Sequence, residues 1–419
     1  MKKALIALLL LIAILAGVFA FAYFNTDIPK LYLEGDISGM QSKEDERSVS
    51  FRYKDENQTI NGFAEIKVQG TSSLAYEKKN YTVKFFRDAQ HDEKLKLSFL
   101  HWNKEHKYIL KANYLDETLC RNLVCADVWA EITATRGNLS AELKQLSHYG
   151  AVDGFPVALY INREFAGLYT WTLHKDDDLF GMEDGKKQAI VICNEASLPE
   201  AFFRAEAAFE EGSPWEMEFC GTEDSGWAKD SFNELIKFVM TADDARFHDE
   251  LAEYLDVDAA IDYLLAVYAL GIPANETKDL VLVSYGGRWI PSLYDMEHAF
   301  GLLTDGSGGS DPEEGLPQWR DSGWETVTDN LLFERLLENF LPEITARYQE
   351  LRKSILAPES LLEKVENFVG SIPRELYLAE ERVNPKPAAD FDGEALIREY
   401  LAPRIAAMDS LFSGEDKTA

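Results

Sequence analysis

Cysteine is scarce. Only Cys120, Cys125, Cys193 and Cys220 occur in 419 residues, too few and too scattered for a disulfide framework, although a single Cys193 to Cys220 bridge stays open. No C-x-x-C pair exists, which sets zinc binding by these thiols aside. Basic charge is also short. Lys and Arg number 42 against 73 Asp and Glu, for a net charge of −31, so most of the surface repels polyanions and nucleic acid is excluded as a partner. Repeats of solenoid period are absent. No cysteine follows the N-terminal apolar run in a lipoprotein-like position, which argues against a lipid anchor.

The chain has the length for two domains or lobes, each with its own core, and its 46% hydrophobic and 12% aromatic content is that of a folded protein. Lys2 and Lys3 precede an uninterrupted apolar run from Ala4 to Phe24, the order of charge and apolar core used for export. Ala20-Phe21-Ala22 offers a small-x-small cleavage site, while the run is also long enough to span a bilayer. Residues 1–24 are therefore expected to be a signal peptide or an N-terminal membrane anchor. The rest is expected outside the cytoplasm, secreted or held at the cell surface, touching membrane only through that segment.

Residues 30–184 read as a sheet-rich lobe, from Ala64–Val68, Tyr81–Phe86 and Val157–Ile161, with one helix after Asp116, whose carboxylate can cap the amides of Glu117 to Leu119. Asn162-Arg163-Glu164-Phe165 reads as a turn between strands. Residues 185–228, rich in Glu, Gly and Ser, read as a connector or insertion with exposed loops. Residues 229–412 read as a helix-rich lobe interrupted by one hairpin, with Leu331–Phe340 and Ile344–Ile355 separated at Pro342. The fold class is α+β, and the order of lobes is that of a protein kinase.

The hairpin is Asp279 to Asp295, turning at Gly286-Gly287, and counting outward from the turn brings Asp279 within one residue of facing Asp295. Carboxylates at both open ends suit a hard cation that fills its other positions with phosphate and water. Ordinary solvation of strand ends is the competing reading. Upstream, Gly70-Thr71-Ser72-Ser73 can expose amides and hydroxyls to phosphate, and the following strand delivers Lys79 and Lys84. A polar turn with a solvent-facing lysine is the plainer alternative there. Asp116 is most simply a helix cap, and Arg121 a surface cation or a partner for an acidic site residue.

Gln69–Ser73 with Lys78–Tyr81, Lys111–Tyr114 with Asp116, Thr118, Arg121 and Asn122, Tyr160–Asn162, Gly167–Tyr169, and Trp289–Glu297 before Phe300-Gly301 form an ordered set. That set resembles the CotH kinase family, named after spore coat protein H. The resemblance implies an atypical, two-lobed protein-kinase-like fold on secreted or surface-associated proteins, whose active members use ATP with Mg²⁺ or Mn²⁺ to phosphorylate serine or threonine on surface or coat proteins. It implies nucleotide contacts from Gly70, Thr71, Ser72, Ser73, Lys79 and Lys84, and metal contacts from Asp279, Asp295 and Glu297. Some fungal relatives serve instead as host-binding surface proteins. Where the family usually carries Asp, Asn and the second Asp of Asp-x-Asp, this chain has Ala274, Asp279 and Glu297. The last two keep an oxygen ligand. Ala274 leaves the proposed base position empty, so whether the chain is an enzyme stays open between a kinase in which Glu276 substitutes and a catalytically inactive, protein-binding pseudokinase.

Overall fold

The computed structural model describes residues 28–413 except 71, 196, 206–208, 210, 211, 321, 322, 327 and 386–391. The apolar run at residues 1–24 lies outside the described residues. Among the described residues no helix is long and apolar enough to cross a membrane.

Seven strands close into a barrel: β1 (Lys30–Glu34), β2 (Glu46–Lys54), β3 (Thr59–Gln69), β4 (Asn80–Phe86), β5 (Lys107–Lys111), β6 (Gly154–Ile161) and β7 (Glu164–Thr172), in the order β1-β2-β3-β4-β5-β7-β6. Closure comes from a parallel pairing of β1 with β6, Lys30 opposite Ala158. Alternation makes the interior: Ala64, Ile66 and Val68 of β3 are buried, while Glu65 and Lys67 between them stay partly exposed. Aromatic rings fill the centre, where Phe85 stacks on Trp171 at 5.3 Å. The β6–β7 turn is at Asn162-Arg163, with φ of 51° and 73°, the left-handed pair that a two-residue hairpin requires.

Helices α1 (Arg121–Ala134) and α2 (Ala141–Gln145) interrupt the barrel strands. The second half carries α3 (Gly226–Thr241), α4 (Asp244–Glu250), α5 (Val257–Leu270), α6 (Leu331–Asn339), α7 (Leu341–Leu351), α8 (Pro358–Gly370), α9 (Arg374–Val383) and α10 (Gly393–Leu411). Helix α5 is buried on nearly every side; Asp256 caps it by accepting from Ala259 N at 3.0 Å, and Gly271 ends it with φ +69°. Pro342 sits in the first turn of α7, where its missing N–H costs nothing.

Residues 185–228 are not the exposed connector that their composition suggests. They contribute β8 (Ala189–Cys193) and β9 (Trp215–Cys220) to a four-stranded sheet ordered β11-β10-β8-β9, with the hairpin strands β10 (Val281–Ser284) and β11 (Trp289–Ser292). The physical reason is a doubly buried layer. Ile190, Ile192, Val281 and Val283 pack into the barrel core, whereas Val191, Cys193 and Leu282 pack into the helical core. A small β12–β13 ribbon (Gln318–Arg320, Gly323–Glu325) follows.

Three local expectations are corrected. The hairpin loop spans 285–288, because Ser284 pairs with Trp289, and only Gly286 of the two glycines takes positive φ, +82°. Helix α1 starts at Arg121 rather than just after Asp116. The Asp116 carboxylate reaches forward, accepting from Arg121 N at 2.9 Å and Thr118 Oγ1 at 2.6 Å and pairing with the Arg121 guanidinium, so Arg121 is a fully buried structural cation. The four cysteines are free: Cys193 faces Trp215 and Cys220 faces Ala189, at opposite ends of the β8–β9 pair, so a bridge between them is ruled out by register.

Candidate active site

Strand β5 leaves the barrel at Lys111, and the small sheet delivers Asp279 just before β10 and Asp295 just after β11. Both aspartates hold left-handed backbone, φ +65° and +53°, a conformation that short polar residues tolerate better than most. Asp279 N donates to Cys193 O at 2.8 Å, tying the loop to β8. Lys111 Nζ donates to Asp295 Oδ1 at 2.8 Å, across the junction between barrel and small sheet. Behind them, Asn122 of α1 accepts from Met296 N at 2.8 Å and donates to Asn113 Oδ1 at 3.3 Å, while Asn113 donates to Thr170 Oγ1 at 2.9 Å. These amides fix the Asp295–Glu297 segment to the barrel.

The charges are unequal in state. Burial and then the Asp295 charge push the Asp279 carboxyl up to about 7, and the same two causes push Glu297 up to about 7. Asp295 itself is lowered, since Lys111 outweighs the burial that would raise it. Burial opposes the charged form of Lys111, but Asp295, Tyr294 and Glu297 prevail and keep it protonated. Lys111 and Lys278 act on all three carboxyls and Lys175 on Asp279, yet Asp279 and Glu297 stay raised. The donor set fits a divalent cation, which accepts one or two carboxylates and completes its shell from other oxygens. The three carboxylates do not form a set with all ligand atoms within 4.8 Å; among the described residues the group that does is Asp176, Asp177 and Asp178 at the end of β7.

A loop from Gly70 to Lys79 reaches toward this cluster. Gly70 has φ +107°, and an added Cβ would collide with Ser73 Oγ. Asn80 holds that hydroxyl at 3.1 Å and accepts from Ala112 N at 2.7 Å, next to Lys111. Tyr76 leans on Tyr114, ring centroids 5.4 Å apart, and Glu297 contributes to the rise of its pKa after burial. At the loop's far end Lys78 is buried, donating to Glu380 Oε1 of α9 at 2.7 Å, to Ala112 O at 2.8 Å and to Leu168 O; Glu380 Oε2 accepts from Leu168 N at 2.6 Å.

A family model described as CotH kinase protein matches residues 66–406. The chain belongs to the CotH kinase family. No curated protein matches it. A solved structure of the Golgi casein kinase covers 94% of this chain and 75% of its own, at 9% identity and a TM-score of 0.28, too slight a likeness to add to the assignment. The protein is kinase-like by family, and its architecture is α+β.

Asp295 lies within electrostatic reach of both Asp279 and Glu297, and Gly70 and Ser73 belong to the loop whose Tyr76 feels the Glu297 charge. Thr71 and the Ser72 side chain are outside what the structure describes. Three sequence expectations fail. Lys84 is four residues along β4 from Asn80, about 13 Å by strand rise, and its ammonium pairs with Glu46 at 3.2 Å and Glu65 at 3.6 Å on the outer barrel wall. Strand pairing carries it away from the site. Lys79 turns back on its own loop, donating to Leu74 O at 2.6 Å and to Tyr76 O, so it braces the loop. Glu276 is fully buried in the helical core, accepting from Thr328 Oγ1 at 2.6 Å, while the neighbouring Ala274 is exposed. It cannot reach a substrate hydroxyl from there. The residue that sequence reasoning passed over is Lys111, although its position as the polar end of Tyr108-Ile109-Leu110-Lys111 was a usable signal.

The raised carboxyls set a pH response in the stability of this protein. A carboxyl whose folded pKa exceeds its unfolded value contributes stability that is fully present below the unfolded pKa and lost as pH rises through the folded one, here about 7. In chelator, the melting temperature is expected to fall through that window, and to fall less in Asp279→Asn. Equal pH slopes for wild type and variant would count against a crowded, uncompensated cluster.

Proposed function

We propose that this protein is an exported, two-lobed kinase that binds ATP and a divalent metal between its barrel and its helical half, and transfers the γ-phosphoryl group to Ser or Thr of a surface or coat protein. The observation that carries the reading is the convergence of Asp279, Asp295 and Glu297 at the junction, with Lys111 bonded to Asp295 and two of the carboxyls pushed up to about 7 by burial and then by the Asp295 charge. Asp279, Asp295 and Glu297 would hold Mg²⁺ or Mn²⁺, which when bound neutralises charge on phosphate oxygens. Lys111 orients Asp295 and adds a fixed positive charge at the mouth. The Gly70 loop supplies backbone amides and the Ser73 hydroxyl beside that charge. Phosphoryl transfer draws most of its acceleration from such positioning and neutralisation.

A second reading is supported by one observation. Ala274, at the position where the family usually has Asp, is exposed and has no functional group, and Glu276 is turned inward. The natural chain would then be a nucleotide-binding pseudokinase acting as a protein-binding module. Labelled ATP with an acidic envelope-type acceptor separates the two. Ala274→Asp is expected to raise transfer by roughly 10²- to 10⁴-fold, the usual contribution of a positioned acid-base group. Transfer confined to that variant would establish the pseudokinase. Transfer by neither protein, with nucleotide still bound, would sink the kinase.

A further inference from the structure

On the outer barrel wall, strand register lines up Tyr160 of β6, Tyr32 of β1, Arg52 of β2 and Asn61 of β3 in one row. The row floors a groove of about 990 Å³ whose rim carries Arg87 and Arg163 and the single carboxylate Glu34. Tyr32 and Tyr160 stack at 4.9 Å, and the Arg52 guanidinium lies 4.4 Å above the Tyr32 ring. Arg52 is exposed and forms no ion pair among the described residues, which leaves its in-plane N–H donors available. Arg163 does pair with Glu34 at 3.4 Å and Arg87 with Glu93 at 3.0 Å, but these side chains are 88% and 57% exposed and such pairs exchange readily for a better carboxylate.

Three arginines against the two carboxylates Glu34 and Glu93 leave a local positive excess, centred on Arg52, in a chain of net charge −31. We propose that this groove docks an acidic segment of a partner polypeptide. Arginine forks pair carboxylates bidentately, the partly exposed Tyr32 ring, backed by the buried Tyr160, offers an apolar edge, and Asn61 can both donate to and accept from peptide groups. The concave shape fits an extended segment better than a flat charged surface. Barrel closure removes free strand edges there, so recognition runs through side chains. The docking requires neither nucleotide nor metal and stands apart from the phosphoryl-transfer reading.

The test is fluorescence anisotropy of a labelled Asp/Glu peptide with the full chain, without nucleotide, beside an Asn/Gln peptide of equal length. The acidic peptide is expected to bind and the neutral one not, with binding weakened by salt. Arg52→Glu is expected to reduce affinity at least about tenfold, like charges facing one another being strongly unfavourable. Arg163→Glu, at a turn position 88% exposed on its side chain, gives the same direction without endangering the fold. Lys353→Glu, exposed at the end of α7, is expected to change nothing. Equal binding of both peptides, indifference to both arginine reversals, or Arg52-dependent binding of anionic vesicles in place of the peptide would overturn the proposal.

Discussion

Asp295→Asn is expected to abolish metal-dependent stabilisation by ATP and to lower phosphoryl transfer by roughly 10²- to 10³-fold or more, the scale seen when one charge-stabilising group is removed from a preorganised site. Asparagine is the informative replacement. It tolerates the left-handed backbone at 295, φ +53°, and still offers Lys111 an oxygen, so the fold and the junction contact persist while the negative charge is lost. A ligand in hundredfold excess over its dissociation constant raises stability by about 2.7 kcal/mol. That increment, read as a shift in melting temperature with Mg²⁺ or Mn²⁺, should be present in the wild type and missing in Asp295→Asn. Asp279→Asn supplies the contrast. The family usually has Asn at that place, and removing a crowded charge relieves repulsion, so metal-dependent stabilisation should survive. A wild-type-like shift in Asp295→Asn would remove this carboxylate from the metal site.

Glu380→Ala is expected to destabilise the protein by roughly 3–5 kcal/mol, the cost of removing one partner of a buried ion pair. Lys78 is 1% exposed and Glu380 5%, and burial already pulls the Lys78 pKa down against the pull of Glu380. Without the carboxylate, the ammonium is left with the carbonyls of Ala112 and Leu168, and Leu168 N loses its acceptor. Thermal unfolding measures the effect, and Lys78→Met with Glu380→Leu should recover much of the loss by removing both charges together. A loss below about 1 kcal/mol, the ordinary value of a surface pair, would show that the contact is not a buried latch.

Much of the α+β division was legible because each half has its own period. Ala64–Val68 alternates, and the runs in α3 and α6 repeat at helical spacing. The near-facing of Asp279 and Asp295 was legible too, since hairpin register transfers directly into facing positions. Three things were not. Strand β8 is apolar on both faces because two cores meet across it, and five such residues inside a Glu-, Gly- and Ser-rich stretch carry no period. Glu276 and Lys84 have suitable chemistry at suitable spacing, but a 3-10 turn and the barrel register aim them elsewhere. The partner of Lys78 lies 302 residues away, beyond any local pattern.

The parallel seam between β1 and β6 has a consequence for synthesis. β1 is made first, yet Ala158, the residue of β6 that pairs with Lys30, follows 128 residues later. At ~5–20 residues per second one edge of the growing sheet waits roughly 6 to 25 s for its neighbour. During that interval Leu31 and Leu33, fully buried in the finished barrel, lack the β6 side of their enclosure. Seam formation, a contact of long sequence separation, is thus the natural late step of barrel assembly.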